Sequence, residues 1–399
     1  MKRLNCGKLI NTSGFVAGIL FILISCDRSA GIKFQSEIDK LSAKWVPDQR
    51  VGICSIKVKS IDNRTILLTG ETTCQPAKDE IIKTLNNRGI TLIDSILILP
   101  DTAGNDKYMG LVTLSVINLR KKPDHRSELI SQSILGTPVL ILKNENSWVL
   151  IQTPDKYISW TEKSSLELMT PVEMNDWKES DRVIFRNNTG WIYDSSPDHS
   201  GVVSDIVAGC ILIKTGESNA YTKVSLPDRR QGLIESKELM DFNSWESTIN
   251  YTPENVCRVA LSFLGVPYLW GGTSPKGVDC SGFVSSVYFM SGLILSRDAS
   301  LQALHGNTID ISDGFGLLDK GDLLFFGSKA NGTSHVTHVG IYIGNNEYIN
   351  SSGRVMINSL DSTQACFNRY RMNSLLGAKR IIGGGNDDGI VPVIKHPWY

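Results

Sequence analysis

An internal repeat between residues 105 and 247 constrains the fold of this chain more than any other feature. Three elements recur with a spacing that is kept to within one residue, namely Pro123-Asp124-His125 as Pro197-Asp198-His199, Gly136 as Gly209, and Pro154-Asp155 as Pro227-Asp228. Both copies contain β-branched and aromatic runs broken by Pro, Gly, Asn and Asp, which is typical of short strands in small barrels. The repeat therefore predicts two copies of one small β-barrel, at residues 104–170 and 171–247.

The segments on either side of the repeat have different patterns. Residues 26–103 place strand-like runs around one helical segment, which predicts a small α+β module whose expected role is packing or spacing. Its strand-like runs lie at 51–58, 65–68 and 90–99, and its helical segment lies at 79–87. The sequence assigns no role to the C-terminal tail, residues 384–399.

Residues 248–383 begin with Thr252-Pro253-Glu254, an N-cap residue followed by Pro at the first helical position. Helical patterns up to Gly265 and over 281–290 precede four strand-like runs, at 322–326, 336–343, 347–350 and 355–360. This order predicts a domain with helices followed by an antiparallel sheet. The whole chain is thus expected to be a multidomain α+β protein.

Charge and cysteine usage exclude several functional classes. Lys plus Arg and Asp plus Glu both number 41, so no overall basic field exists to bind nucleic acid. The eight cysteines form no CxxC pair, so we expect no metal and no cofactor. Cys54 and Cys74 can either pair in an oxidising compartment or remain two buried thiols. The protein is expected to be a monomer.

The N-terminus predicts export from the cytoplasm. Lys2, Arg3 and Lys8 precede an apolar run over 15–24 that is too short to span a bilayer comfortably, so residues 1–25 are interpreted as a signal peptide. Leu23-Ile24-Ser25-Cys26 resembles the lipobox of bacterial lipoproteins, which would make Cys26 a lipidated first residue and would anchor the protein to a membrane of the cell envelope. The alternative is an ordinary signal peptide with a chance cysteine.

Cys280 is the candidate nucleophile. It follows a Gly-rich loop over 271–277 and directly precedes the second helical pattern, so its thiol is expected at a helix N-terminus. There the macrodipole and the free N–H groups favour a thiolate, so a lowered pKa is expected, and the same N–H groups can stabilise an oxyanion.

His338 is the candidate base for this thiol. Val339, Ile341 and Ile343 alternate on the opposite face of its strand, so the imidazole is expected to face away from the apolar row. If the following hairpin is centred on Gly344, Asn350 lies directly across from His338 with Cβ atoms ~5 Å apart. We interpret His335, three residues earlier, as structural or surface.

Residues 251–382 resemble the NlpC-type cell-wall cysteine peptidases, which have a papain-like fold. The resemblance is carried by Tyr268-Leu269-Trp270-Gly271-Gly272, Asp279-Cys280-Ser281-Gly282-Phe283, Gly321-Asp322-Leu323-Leu324-Phe325-Phe326 and His338-Val339-Gly340-Ile341-Tyr342. It implies that Cys280 attacks the scissile carbonyl, that His338 is general base and then acid, and that a third polar residue orients the imidazole. The third position is usually histidine and here is Asn350, so the resemblance leaves either an active Cys-His-Asn arrangement or a weakened one.

The first copy of the repeat resembles the bacterial SH3-type barrel, and such barrels either anchor a protein to the wall or share in the active site. The chain resembles the subgroup of these peptidases that carry such barrels, and that subgroup is specific for stem peptides with a free N-terminal L-alanine. The resemblance implies that Glu128 and Tyr157 contact that amine, although a solvated loop acid and a core tyrosine are the alternatives. Further positions match the substrate cleft, namely Tyr268, Trp270, Asp279, Ser281, Arg297 and Asp298, of which Tyr268 and Trp270 can instead be packing residues.

The expected activity is therefore hydrolysis of peptidoglycan stem peptides between γ-D-glutamate and the diamino acid, with release of L-alanyl-D-glutamate. Two alternatives remain at this point. One is a non-catalytic lipoprotein that binds peptidoglycan, and the other is an amidase or acyltransferase on the same fold.

Overall fold

The chain divides into two compact units between Asp101 and Thr102. The computed structural model describes residues 34–399 except 63, 105, 195–200, 249–250, 331 and 384–386. Cys26 and Pro197-Asp198-His199 lie outside the described residues. Over the part of the chain that is described, no helix has the length and apolar character needed to cross a membrane.

The first unit is a three-stranded sheet covered by two helices. Its elements are α1 (34–45), β1 (Cys54–Ser60), β2 (Thr65–Thr72), α2 (Gln75–Asn86) and β3 (Thr91–Ile98). Strand β1 pairs antiparallel with β2, and α2 carries the chain across so that β3 pairs parallel with β2. Helix α2 begins earlier than predicted because Pro76 occupies its first turn, where a missing N–H is tolerated.

The core of this unit follows from helical spacing. Ala77, Ile81 and Leu85 recur at i and i+4 on α2 and are buried against Ile56 and Leu68 of the sheet. The thiols of Cys54 and Cys74, whose pairing the sequence left open, are both free. Cys54 instead lies 3.3 Å from the hydroxyl of Ser42.

The second unit begins with two seven-stranded sheets that share one strand order. The first barrel contains β4 (Met109–Val112), β5 (Val116–Arg120), β6 (Leu129–Ile134), β7 (Pro138–Glu145), β8 (Trp148–Gln152), β9 (Ile158–Glu162) and β10 (Leu166–Met169). The second barrel contains β11 (Arg182–Phe185), β12 (Thr189–Tyr193), β13 (Val202–Val207), β14 (Ile211–Ser218), β15 (Tyr221–Ser225), β16 (Gln231–Glu235) and β17 (Leu239–Asp241).

The strand orders are β10-β4-β7-β8-β9-β5-β6 and β17-β11-β14-β15-β16-β12-β13, so each strand has a counterpart at the same place. Each strand of the second barrel also begins the same number of residues after its counterpart in the first. The structure thus confirms that the sequence repeat is a repeat of fold. Helix α3 (Pro171–Glu179) joins the two barrels and α4 (Phe242–Thr248) follows the second.

Two of the repeated dipeptides, Pro154-Asp155 and Pro227-Asp228, lie at turns. Pro154-Asp155 precedes Lys156, whose φ is 66°, and Pro227-Asp228 precedes Arg229, whose φ is 69°. Asp stabilises tight turns through side-chain hydrogen bonds to the backbone, and Pro does so through its fixed φ. The same residues therefore recur where the same turn recurs.

The C-terminal domain places helices before an antiparallel sheet, as predicted. Its helices are α5 (Pro253–Ser262), α6 (Cys280–Met290), α7 (Ala299–Gln302) and α8 (Arg369–Asn373). Its strands are β18 (Thr273–Ser274), β19 (Gly277–Val278), β20 (Leu293–Leu295), β21 (Asn307–Ile309), β22 (Leu323–Ala330), β23 (Thr333–Gly344), β24 (Glu347–Ser352), β25 (Arg354–Ser359), β26 (Leu375–Arg380) and β27 (Ile390–Pro392). The sheet order β21-β26-β22-β23-β24-β25 puts β23 at the centre, where α6 packs against it.

The tail closes this unit. Strand β27 pairs antiparallel with β20, and Val393 and Tyr399 are buried beside Trp177 of α3 and Phe242 of α4. Arg182 of the second barrel donates to the Tyr399 carbonyl at 3.1 Å. The tail therefore packs the C-terminal domain against the helices that flank the second barrel.

Candidate active site

The thiol of Cys280 lies at the start of α6, as the sequence predicts. Asp279 is the N-cap of this helix, and its side chain accepts the backbone N–H of Gly282 at 2.7 Å. The preceding loop is folded back on itself by the short pair of strands β18 and β19. Gly272 is required there, since a Cβ at this position would lie 2.3 Å from the Gly277 carbonyl oxygen.

The expected lowering of the Cys280 pKa is wrong for this structure. Burial raises the pKa of the thiol, and the neighbouring charge of Asp279 adds to that effect. The backbone N–H groups of Val339 and Ser281 act in the opposite direction but are outweighed. The helix N-terminus is present as predicted, but the Cys280 side chain is only 8% exposed. Desolvation destabilises the thiolate by more than the backbone N–H groups stabilise it.

The backbone at His338 passes beside this thiol. Cys280 and Val339 belong to one core cluster, and the Val339 N–H acts directly on the Cys280 sulfur, so the residue before Val339 is adjacent to it. The ring of Phe326 covers the imidazole with 5.7 Å between ring centroids. As predicted, Val339 and Ile341 are buried on the opposite face of the strand.

Asn350 accepts a hydrogen bond from His338, with 2.9 Å between Oδ1 and Nε2. The predicted register of this hairpin is nevertheless wrong by two residues. The turn is formed by Asn345 and Asn346, with φ values of 55° and 59°, and a bulge precedes it on β23, so Ile341 rather than Val339 pairs with Ile349. Asn350 therefore lies across from Gly340 and reaches His338 diagonally on the same face, because a shift of two residues preserves the face of a strand.

The orientation of the Asn350 amide is set by a residue that the sequence did not single out. Its Nδ2 donates to Asn358 Oδ1 at 2.9 Å and to the Met356 carbonyl at 3.3 Å, which leaves Oδ1 facing the imidazole. An acceptor at Nε2 selects the tautomer with a proton on Nε2 and leaves Nδ1 able to take the thiol proton. The one available sequence signal was a polar residue inside the strand-like run over 355–360.

The environment keeps the imidazole neutral. Burial lowers the pKa of His338 to about 4, with a further contribution from the positive charge of Arg371, against the opposing effects of Asn350 and Asp279. A neutral imidazole within reach of a neutral thiol can act as a general base when the sulfur attacks a carbonyl, and then as a general acid toward the leaving amine. His335, in contrast, is exposed.

Three of the residues predicted to line the substrate cleft form a buried polar network under α6. Asp279 pairs with Arg297 at 2.6 Å, and Arg297 also donates to Ser281 at 3.0 Å. Asp279 further accepts the N–H of Gly271 at 3.0 Å, and Arg297 donates to Ser131 of the first barrel at 3.0 Å. This network holds the Gly-rich loop, the helix and the barrel together, while the predicted contact of these residues with substrate stays a prediction.

The remaining cleft residues join the first barrel to the C-terminal domain in two pairs. Trp270 donates through Nε1 to Glu128 at 3.2 Å, and the Tyr157 hydroxyl donates to Asp298 at 3.1 Å. Trp270 is 62% exposed, which argues against a simple packing role, whereas Tyr157 is buried. Tyr268 lies near the nucleophile, since burial and then the charges of Cys280 and Asp279 raise its pKa to about 12.

Comparisons with known proteins agree with this arrangement. Residues 265–372 match the model of the NlpC/P60 family, and residues 119–166 match that of the bacterial dipeptidyl-peptidase Sh3 domain. A dipeptidyl-peptidase 6 of Lysinibacillus sphaericus is 29% identical over 264 residues, which are 63% of this chain and 92% of that protein. A gamma-D-glutamyl-L-lysine dipeptidyl-peptidase of Bacillus subtilis is 28% identical over 62% of this chain and 76% of its own length.

A solved structure supports the same fold. The crystal structure of an NlpC/P60 family protein from Bacillus cereus superposes with a TM-score of 0.58, covering 68% of this chain and 99% of that one at 23% identity.

Proposed function

We propose that this chain, which carries an NlpC/P60 cysteine peptidase domain joined to a bacterial dipeptidyl-peptidase Sh3 domain, hydrolyses peptidoglycan stem peptides between γ-D-glutamate and the diamino acid. The observation that carries the proposal is the set Cys280, His338 and Asn350. Asn350 orients the imidazole, and the thiol lies at a helix N-terminus next to the backbone N–H of Val339, the residue after His338. Two similar proteins are named for dipeptidyl-peptidase activity, and the name of one specifies γ-D-glutamyl-L-lysine.

The reaction follows from these groups. The Cys280 sulfur attacks the carbonyl carbon of the γ-glutamyl group while its proton passes to Nδ1 of His338. The protonated imidazole then gives this proton to the nitrogen of the diamino acid, which leaves as a free amine. Water, deprotonated by the same imidazole, hydrolyses the remaining thioester and releases L-alanyl-D-glutamate.

Glu128, Tyr157 and Asp298 support a requirement for a free N-terminal L-alanine. Two of them are acidic and the third is a phenol hydrogen-bonded to one of those acids, and an ammonium ion needs such acceptors. The first barrel would then share in the substrate site rather than act only as a wall anchor.

The alternative of a non-catalytic binding protein depended on Asn350 in place of the usual histidine. The 2.9 Å bond to His338, with its amide fixed by Asn358, favours a working orienting residue. No observation specifically favours an amidase or acyltransferase.

The test is incubation of the purified protein with L-Ala-γ-D-Glu-meso-diaminopimelate, followed by chromatographic detection of L-alanyl-D-glutamate. We expect product with the native chain and none with Cys280→Ala, and we expect Asn350→His to retain activity. Absence of product at any enzyme concentration would contradict the peptidase assignment. Product from Cys280→Ala would contradict the assignment of the nucleophile.

We further propose that the protein acts as a monomer in the cell envelope, anchored by a lipid on Cys26. The support is the motif Leu23-Ile24-Ser25-Cys26 after an apolar run. Metabolic labelling with a radioactive fatty acid should mark the native protein and not Cys26→Ser. Light scattering of the protein without its N-terminal lipid should give the mass of one chain, and a dimer mass would contradict the monomer.

A further inference from the structure

Arg371 differs from Arg297 and Arg380, two other arginines of the C-terminal domain, in the partners of its guanidinium. Arg297 pairs with Asp279, and Arg380 pairs with Asp319 and Asp322. Among the described residues, no carboxylate forms an ion pair with Arg371, whose Nη2 donates to the hydroxyl of Ser352 at 3.3 Å. Its guanidinium also lies 5.5 Å from the ring centre of Tyr370, which is 72% exposed.

The position of Ser352 brings this cation to the catalytic face. Ser352 lies two residues after Asn350 on β24, so both side chains are on the same face of the strand. Continued past Ile341 and Ile349, the register of β23 and β24 puts Ser352 level with His338. The influence of Arg371 on the titration of His338 and Tyr268 agrees with this placement.

Arg371 and the first barrel are bonded to different segments of the C-terminal domain. The barrel reaches the segments directly before and after α6, where Glu128 accepts from Trp270 and Ser131 accepts from Arg297. Arg371 is held from β24, on the wall that carries the imidazole. Because the imidazole gives its proton to the leaving nitrogen, a cation on that wall is placed beside the leaving group.

We propose that Arg371 binds a carboxylate of the diamino acid on the leaving-group side of the scissile bond. This inference rests on the proposed function and adds a specificity for a negatively charged leaving residue. A guanidinium has five N–H donors in a fixed plane that matches a carboxylate, and here only weak neutral partners occupy it.

Three substrates separate this role from others. The first is L-Ala-γ-D-Glu-meso-diaminopimelate, the second has both diaminopimelate carboxylates amidated, and the third has the α-carboxylate of the D-glutamate amidated. The measurement is kcat/KM for each substrate with the native chain, Arg371→Ala and Arg371→Lys. The matched control is Arg369→Ala, which removes an exposed charge from the same short helix.

The expected result is a loss with Arg371→Ala of roughly 10- to 100-fold on the first and third substrates, the range for a hydrogen bond to a charged group. On the second substrate we expect Arg371→Ala to match the native chain, which should itself cut that substrate roughly 10- to 100-fold less well than the first. Arg371→Lys should recover part of the loss, and Arg369→Ala should behave as native.

Several outcomes would overturn the inference. An equal loss on the first and second substrates would make Arg371 a structural residue. Loss of the Arg371 effect on the third substrate alone would assign it to the glutamate carboxylate. If the native chain cuts none of the three, the proposed function fails and this inference with it, a result distinct from active enzyme that is indifferent to Arg371.

Discussion

The two barrels have one strand order and a matching turn at Lys156 and Arg229, yet they carry different side chains toward the C-terminal domain. Glu128 and Tyr157 of the first barrel bond to Trp270 and Asp298. At the equivalent points of the second barrel, just before β13 and after the positive-φ turn residue, stand Gly201 and Arg230. Arg230 donates to the carbonyl of Thr113 in the first barrel and pairs with Asp228 of its own turn.

At one pair of equivalent positions, both barrels bind the same loop of the C-terminal domain. Gln132 of the first barrel accepts the Thr273 N–H at 3.2 Å, and the equivalent Asp205 of the second barrel forms an ion pair with Lys276. Both partners belong to the loop that leads to Cys280. Both barrels therefore bind this loop through a side chain at the same position of the fold, whereas the acidic groups suited to an ammonium ion are present on the first barrel.

The largest difference between the two barrels is expected when Arg297 is replaced, because this buried residue links the first barrel to the helix that carries Cys280. Arg297→Met leaves the Asp279 carboxylate buried without its cation, and such losses cost about 3 kcal/mol or more of unfolding free energy. The counterpart is Arg230→Met, whose ion pair is about a third exposed and should cost about 1 kcal/mol or less.

Urea unfolding monitored by tryptophan fluorescence measures both variants. Arg297→Lys, which keeps a cation, should lie between Arg297→Met and the native chain. Equal losses for Arg297→Met and Arg230→Met would mean that the two barrels are coupled to the C-terminal domain in the same way.

The sequence predicted the features that local residues determine. The repeat predicted two similar sheets, Thr252-Pro253 predicted the start of α5, and the strand alternation predicted the face of His338. Each of these depends on residues that are close together in the chain. The fold class and the family resemblance were therefore correct.

The features that depend on packing between distant segments were not predicted. The turn lies at Asn345-Asn346 instead of Gly344 and a bulge precedes it, so the register differs by two residues from the predicted one. Neither feature is visible in a hydrophobic pattern. The raised pKa of Cys280 results from burial by the surrounding domain. Asn358 and Arg371 lie outside any motif, and the tail revealed its role only through its contacts with α3 and α4.

Glu128→Gln tests whether the first barrel binds substrate through its charge. It removes a carboxylate that the second barrel lacks, since Gly201 stands at the equivalent position. The amide keeps an acceptor for Trp270, so the change is electrostatic. Glu128 is 43% exposed, so we expect a modest loss of roughly tenfold in kcat/KM on a substrate with a free amine.

The control for Glu128→Gln is Glu145→Gln, an exposed acid on the same barrel, which should leave the rate unchanged. An N-acetylated tripeptide should be cut poorly by the native chain and equally poorly by Glu128→Gln. Efficient cleavage of the acetylated substrate by the native chain would contradict a role for the first barrel in binding the amine.

Tyr157→Phe is expected to have a smaller effect. It removes one hydroxyl that donates to Asp298 and leaves the buried ring in place, which should cost about 1 kcal/mol, or roughly three- to fivefold in kcat/KM. Arg230→Ala at the equivalent turn should leave kcat/KM unchanged. A loss of activity in Arg230→Ala as large as that in Tyr157→Phe would show that the second barrel also acts on the substrate site.

The smallest effect is expected at Asp205, where the two barrels are most alike. Burial raises the pKa of Asp205, but hydrogen bonds from Lys276 and Ser115 lower it by more, so the folded value lies below the ordinary one. A carboxylate whose pKa is lowered on folding stabilises the protein above its unfolded pKa of about 3.9, and that stabilisation is lost as the pH falls through the folded value.

Asp205→Asn should therefore lower the unfolding free energy at pH 7 by about 1 kcal/mol at most, since both partners are more than a third exposed. The difference from the native chain should shrink as the pH falls below about 4, because Asp205 of the unfolded chain then binds a proton, and should vanish below the lower pKa of the folded state, where native Asp205 is neutral as well. Gln132→Ala, which carries no charge change, should show a loss that is independent of pH. A pH-independent difference for Asp205→Asn would mean that the second barrel holds the catalytic loop by shape alone, as an uncharged counterpart of Gln132.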